Sequence, residues 1–220
     1  MAWLSNKEII KTAEKFRFQT ARAVAKIYFR KGFVDAVREI SRCDGKIVTV
    51  GMGKAGHVAE KIASSLCSLG IPSCYLHPGE ASHGNAGVIG ERDILLAFST
   101  SGKTREVIET VKLAKKLKIH KVVAITSHPD ATIRRLADIE VNMGIIKEAG
   151  YLHVAPTTSI AVMLVIGDAL AMVSAELRHF QMSDFAIRHH SGYLGKRSRH
   201  EQKKRTSKSR RVHRSRVLDN

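Results

Sequence analysis

Cysteine is scarce: 3 in 220 residues, odd in number and never at C-x-x-C spacing. A disulfide framework and a zinc knuckle are excluded on that ground. The reading is a reduced, cytoplasmic protein in which Cys43, Cys67 and Cys74 act as small buried apolar groups. Aromatic residues make up only 5% of the chain and prolines number 4. An aromatic-rich sandwich is disfavoured, and apolar content built from Val, Ile, Leu and Ala suits an α/β domain. A signal-peptide core is missing as well, because MAWLSNKEIIKTAEKF is broken by charge every few residues. The longest apolar stretch, Ile160 to Val173, carries Asp168 and is too short to cross a bilayer, so it reads as a buried core helix with no membrane partner.

Acidic residues are also in short supply, 20 against 37 Lys and Arg, for a net charge of +17. Residues 196 to 220 hold 11 Lys and Arg against Glu201 and Asp219 and so contribute +9; the first 195 residues contribute the remaining +8. A segment so poor in apolar residues cannot offset its ordering entropy, and a disordered basic tail is expected over 196–220. No nucleic-acid-binding motif accompanies it, so it reads as a solvated terminus rather than a nucleic-acid contact.

Ahead of that tail, the pattern implies a single domain over 1–195. Apolar residues at helical spacing run through 5–42, with Gly32 expected to break one helix from the next. From 46 to 195 strands and helices alternate. Continuous apolar runs such as KIVTV, DILLAF and KVVAI fit strands of a parallel sheet covered on both faces. Strands are expected at 46–50, 73–76, 93–98, 121–126 and 139–142, and helices at 55–69, 104–118, 131–136 and 157–177. The fold class is therefore α/β, a doubly wound αβα sandwich with a five-stranded, mainly parallel sheet.

Two loops compete as nucleotide motifs. FSTSGKT resembles a P-loop, but the glycine needed five positions before Gly102 is Ala97, inside a strand. No apolar strand ends in a magnesium-binding Asp. VGMGKAGHVAEK places Gly51, Gly53 and Gly56 as a dinucleotide fingerprint, yet the next strand ends Tyr75-Leu76-His77 where an acid should grip the ribose. Lys54 would also crowd a dinucleotide. What remains is simpler: two strand-to-helix turns, at Gly53 and Gly102, aim backbone N–H groups at one crevice. The hydroxyls of Ser99, Thr100, Ser101 and Thr104 form a cradle for one phosphate, with Lys54 and Glu106 at its rim. The 11 histidines show no ligand spacing, so no metal and no cofactor are expected.

GMGKAGHVAEKIASSL, HPGEASHGNAG, FSTSGKTRE, VVAITSHPDATIRRLAD, KEAG, APTTS, GDALA and DFAIRHHSGYLGK occur in that order. Together, over about 46–196, they resemble the sugar isomerase (SIS) domain of D-arabinose 5-phosphate isomerases, in a short form without the two CBS modules that many relatives carry. The resemblance implies interconversion of D-ribulose 5-phosphate and D-arabinose 5-phosphate, which supplies 3-deoxy-D-manno-octulosonate (Kdo) for lipopolysaccharide or capsule. It implies a homotetramer with active sites shared between subunits. It also implies catalytic roles for Lys54, Glu106, Glu148 and His189, a phosphate loop at Ser99, Ser101 and Thr104, and substrate-binding roles for His83, Thr157 and Thr158. Lys103 replaces the usual Glu of SGE, and His189-His190-Ser191-Gly192 replaces the usual HPGG. A 6-phospho-3-hexuloisomerase and a non-catalytic sugar-phosphate sensor are the alternative functions.

Overall fold

The structure, a computed structural model, describes residues 3–189, 191–193 and 195–201. Two helices come first, α1 (Asn6–Ala25) and α2 (Lys31–Arg42). Ser5 caps α1: its hydroxyl accepts from the Glu8 N–H while the Glu8 carboxylate accepts from the Ser5 N–H at 2.8 Å. Gly32 does not end a helix as expected. It lies inside α2, and a Cβ there would sit 1.8 Å from the Glu140 carbonyl oxygen, so close backbone approach, not helix breaking, demands glycine.

The alternating region forms β1 (Ile47–Gly51), α3 (Lys54–Ser68), β2 (Ser73–Leu76), α4 (Pro78–Ala81), a 3-10 turn at Asn85–Val88, β3 (Ile94–Phe98), α5 (Arg105–Lys116), β4 (Lys121–Thr126), α6 (Thr132–Leu136) and β5 (Ile139–Asn142). Helices α7 (Thr158–Leu177) and α8 (Met182–Arg188) follow. The five strands are all parallel, in the order β2-β1-β3-β4-β5. Alternate strand residues feed two cores. Ile47, Ile94, Leu96, Phe98 and Ile125 pack beneath α2, α3 and α7, while Val48, Val50, Leu95, Ala97 and Val122 pack beneath α5 and α6. Because both faces are covered, β1 and β3 are buried at every position, as a continuous apolar pattern requires.

The apolar stretch read as too short to cross a bilayer extends into the 20-residue α7, whose length and mean hydropathy of 2.0 would suffice. Its placement is that of a core helix: Val162, Met163, Ile166 and Leu170 are buried, and Gly167 lets it settle on Ile62 of α3. Of the three free cysteines Cys43 is buried and Cys74 partly so, but Cys67 is exposed. Cys67 stands on the last turn of α3, where its thiol donates to the Ser73 carbonyl at 3.1 Å instead of entering the core. Residues 195–201, partly inside the segment expected to be disordered, are helical, with Gly195 and Ser198 buried three positions apart. His190 and the basic run 202–220 lie outside the described residues.

Candidate functional site

Register decides which loops meet. Gly51, the last residue of β1, pairs with Phe98, the last of β3, and Phe98 pairs with Ile125 of β4. The loops that begin at 52, 99 and 127 therefore leave the sheet side by side at its carboxyl end. Strand order reverses between β1 and β3, with α3 leaving to one face and α5 to the other, so a crevice opens there. The fingerprint glycines serve this packing. A Cβ on Gly56 would meet the Gly51 carbonyl at 2.7 Å and the Tyr75 hydroxyl at 2.8 Å, and Gly53 turns the chain at φ 59°. Their spacing reflects helix on strand, not a dinucleotide.

The crevice encloses a cavity of about 310 Å³, lined among others by Lys54, Ser99, Thr100, Ser101, Thr104, His128, Glu148 and Ser159. That is the small end of the range for ligand pockets. Six of these residues are readable in the sequence; His128 and Ser159 are not among them. Lys54 is exposed, makes no ion pair among the described residues, and occupies the first turn of α3, where a helix dipole disfavours a cation. Nothing in the local fold needs it there. Ser99 ties the hydroxyl cradle together: its Oγ accepts from the Gly102 N–H at 3.1 Å and lies 3.1 Å from Thr104 Oγ1. A cleft of about 610 Å³ lies at the opposite, amino end of the strands, lined by Lys46, Pro72, Arg92 and Asp93. Its buried carboxylate is already consumed in structural hydrogen bonds.

Glu148 reaches the crevice as a cap on α7. Its Oε2 accepts from the N–H groups of Thr157 at 2.9 Å, Thr158 at 2.8 Å and Ser159 at 3.3 Å, and from the Thr157 hydroxyl at 3.4 Å. Burial pushes the carboxyl up, but the Ser159 hydroxyl nearby and these backbone N–H groups outweigh it and hold the group below the usual range. Ser159 Oγ itself is buried with no partner in hydrogen-bond geometry. Thr157 and Thr158, read as substrate ligands, instead spend their N–H groups on Glu148. Thr158 Oγ1 also accepts from the Ala149 N–H at 3.1 Å.

Several expected residues stand outside the cavity wall. Gly102 is buried, its N–H taken by Ser99, and a Cβ there would meet Ala131 at 2.4 Å, so it shapes the loop without facing a ligand. Gly53 likewise acts through its backbone turn. Glu106 sits in the first turn of α5, half-buried and without a side-chain hydrogen bond or ion pair among the described residues. His83 is exposed after α4, which the Thr110 hydroxyl links to α5 by donating to the Glu106 carbonyl at 2.8 Å and reaching the Pro78 carbonyl at 3.5 Å. His189 is at the other pole. Its ring stacks on Phe185 at 3.8 Å, and the neighbouring Arg188 and Phe180 pack at Gly70, just beyond the far end of α3. Lys54 is at the near end of that 15-residue helix, which is itself about 22 Å long. Among the described residues no three His, Cys, Asp or Glu side chains are grouped to hold a metal ion.

Comparison with known proteins places the chain within a family. The family described as the SIS domain matches residues 39–173. The arabinose 5-phosphate isomerase KdsD of Yersinia pestis is 42% identical over 170 residues, which cover 77% of this chain and 52% of that protein. The chain thus spans about half the length of this curated relative. A Bacteroides fragilis structure, provisionally assigned as a phosphosugar isomerase involved in capsule formation, is 40% identical with a TM-score of 0.80, covering 84% of this chain and 99% of that one. The Escherichia coli CFT073 protein c3406, solved in complex with arabinose 5-phosphate, is 31% identical with a TM-score of 0.80, covering 84% of this chain and all of that one.

Proposed function

The chain belongs to the SIS domain family, and from that premise we propose that it interconverts D-ribulose 5-phosphate and D-arabinose 5-phosphate through an enediol, feeding Kdo synthesis. The observation that carries this reading is the meeting of an unpaired Lys54, an ionised Glu148 and a hydroxyl-lined loop in one small crevice. The identity to relatives named for this isomerisation supports it.

The loop 99–104 and the start of α5 hold the phosphate, leaving carbons 1 and 2 toward Lys54 and Glu148. Removing a proton beside a carbonyl builds charge on the neighbouring oxygen, and the Lys54 ammonium stabilises that enediolate. Glu148 keeps one oxygen, Oε2, in the α7 cap and presents a carboxylate that is ionised at neutral pH, hence in proton-accepting form. It takes the proton from C1 of the ketose, His189 delivers a proton to C2, and the proton of the C1 hydroxyl passes to the C2 oxygen as the C1 carbonyl forms. Within one chain α3, about 22 Å long, runs between the Lys54 end and the Gly70 end against which Arg188 packs, so His189 is taken to enter the crevice from a second copy. The site is therefore shared between subunits, in the tetramer that the exposed Ile9, Ile10, Phe16 and Phe18 of α1 are suited to build. Glu106, at the rim, orients Lys54 or assists ring opening.

Incubation with D-ribulose 5-phosphate and, separately, with a 3-hexulose 6-phosphate tests the assignment. NMR is expected to show arabinose 5-phosphate from the pentose. Turnover of the hexulose alone would overturn it.

A further inference from the structure

His128 is the one histidine among the described residues that lines the crevice, and no step above uses it. It enters from the loop after β4, which the sheet register lays against the phosphate loop. Three donors converge on the Thr100 carbonyl: the Ser127 N–H at 3.0 Å, the Thr126 hydroxyl at 3.3 Å and His128 Nδ1 at 3.1 Å. A carbonyl oxygen only accepts, so Nδ1 carries a proton and the ring is pinned to the backbone of the phosphate cradle. Nε2 is then a bare lone pair in the neutral ring and a donor only in the imidazolium.

We propose that His128 is a proton-dependent phosphate ligand of this crevice: protonated at Nε2 it donates to a phosphate oxygen held by loop 99–104, and neutral it does not. The inference rests on the reading of the crevice as a sugar-phosphate site. Lys54 lines the same cavity without a counter-ion, while Glu148 is engaged with α7. On the loop side Asp130 is occupied by Lys103 at 2.5 Å. From α6, Arg134 donates to the His128 carbonyl at 2.6 Å and pairs with Glu140. Asp130 also faces His128 electrostatically but is shared with Lys103; an incoming dianion adds negative charge at Nε2, so binding and protonation of His128 are coupled.

Sulfate, a dianion that does not itself titrate in this range, is the probe, and His128→Asn is the variant. The Asn amide can keep the bond to Thr100 while removing Nε2. Calorimetry with the full-length protein is expected to show sulfate affinity falling about tenfold between pH 6 and pH 8.5. Proton uptake is expected to appear as a difference between buffers of unlike ionisation enthalpy. In His128→Asn the pH 6 affinity should drop about tenfold, the pH dependence should flatten and the proton uptake should vanish. Lys54, Glu148, Lys103, Asp130 and Arg134 remain in the variant, so the difference isolates the ring. Equal sulfate binding by both proteins, or no sulfate binding by the parent, overturns the proposal. So does a loss of kcat with sulfate binding unchanged, which would make His128 a proton shuttle. The pentose assay reads out separately: turnover with pH-flat sulfate binding defeats this inference alone, and proton-linked sulfate binding without turnover defeats the isomerase reading alone.

Discussion

Lys54 begins α3, where the helix dipole opposes its charge, and among the described residues no carboxylate pairs with it. Such a placement is what the proposed role of Lys54 on a ligand would require. Lys54→Ala is accordingly expected to lower kcat by at least about 100-fold while leaving the melting temperature unchanged or slightly raised. A fall in melting temperature with activity preserved would make Lys54 structural. Glu148 shows the opposite balance. The fold uses one of its oxygens as a helix cap, and the same hydrogen bonds keep its carboxylate charged, so in the proposed mechanism structure and chemistry would share one group.

Among the elements, the strand edges facing away from the crevice are closed by Asp93. It is 4% exposed and accepts from the Lys46 ammonium at 2.6 Å, the Lys46 N–H at 2.9 Å and the Gly90 N–H at 2.7 Å, joining the starts of β1 and β3. Burial pushes its carboxyl up, but these three donors prevail and hold it below the usual range. A group whose folded pKa is depressed stabilises the fold above the unfolded pKa of about 3.9 and loses that contribution as pH falls through the lowered value. Urea midpoints are expected to drop between pH 5 and pH 2.5 more for the parent than for Asp93→Asn, which should cost about 2–4 kcal/mol at pH 7. Parallel pH curves for the two proteins would contradict this role. The order and type of the principal strands and helices were legible in the chain because each carries its own period and glycine stops. The loop residues Lys54, Ser99, Ser101 and Thr104 were legible because their hydroxyl and glycine spacing is local. His128 was not, since its approach to Thr100 is set by β3–β4 register. Gly32 was misread for a similar reason, because the Glu140 carbonyl that requires it is more than 100 positions away. The short α8 offered too few residues for a period to show.

At the scale of the whole molecule, α7 links the two poles: Glu148 caps its start at the crevice, and α8 with His189 follows its far end. On the proposed mechanism, one copy lacks the His189 imidazole in its own crevice, and a second copy would supply it. Mixing inactive Lys54→Ala with inactive His189→Ala under conditions of subunit exchange is expected to restore part of the activity. Continued inactivity of mixed oligomers, with mixing verified by mass spectrometry, would place each site within one chain. The central claim, an enediol formed in this crevice by proton transfer, is tested most directly by conversion of D-ribulose 5-phosphate in deuterated water followed by NMR. The account predicts arabinose 5-phosphate carrying deuterium at C2 and recovered ketose carrying it at C1, both absent with Lys54→Ala. Arabinose 5-phosphate formed without deuterium at either carbon, or no conversion at all, would contradict it.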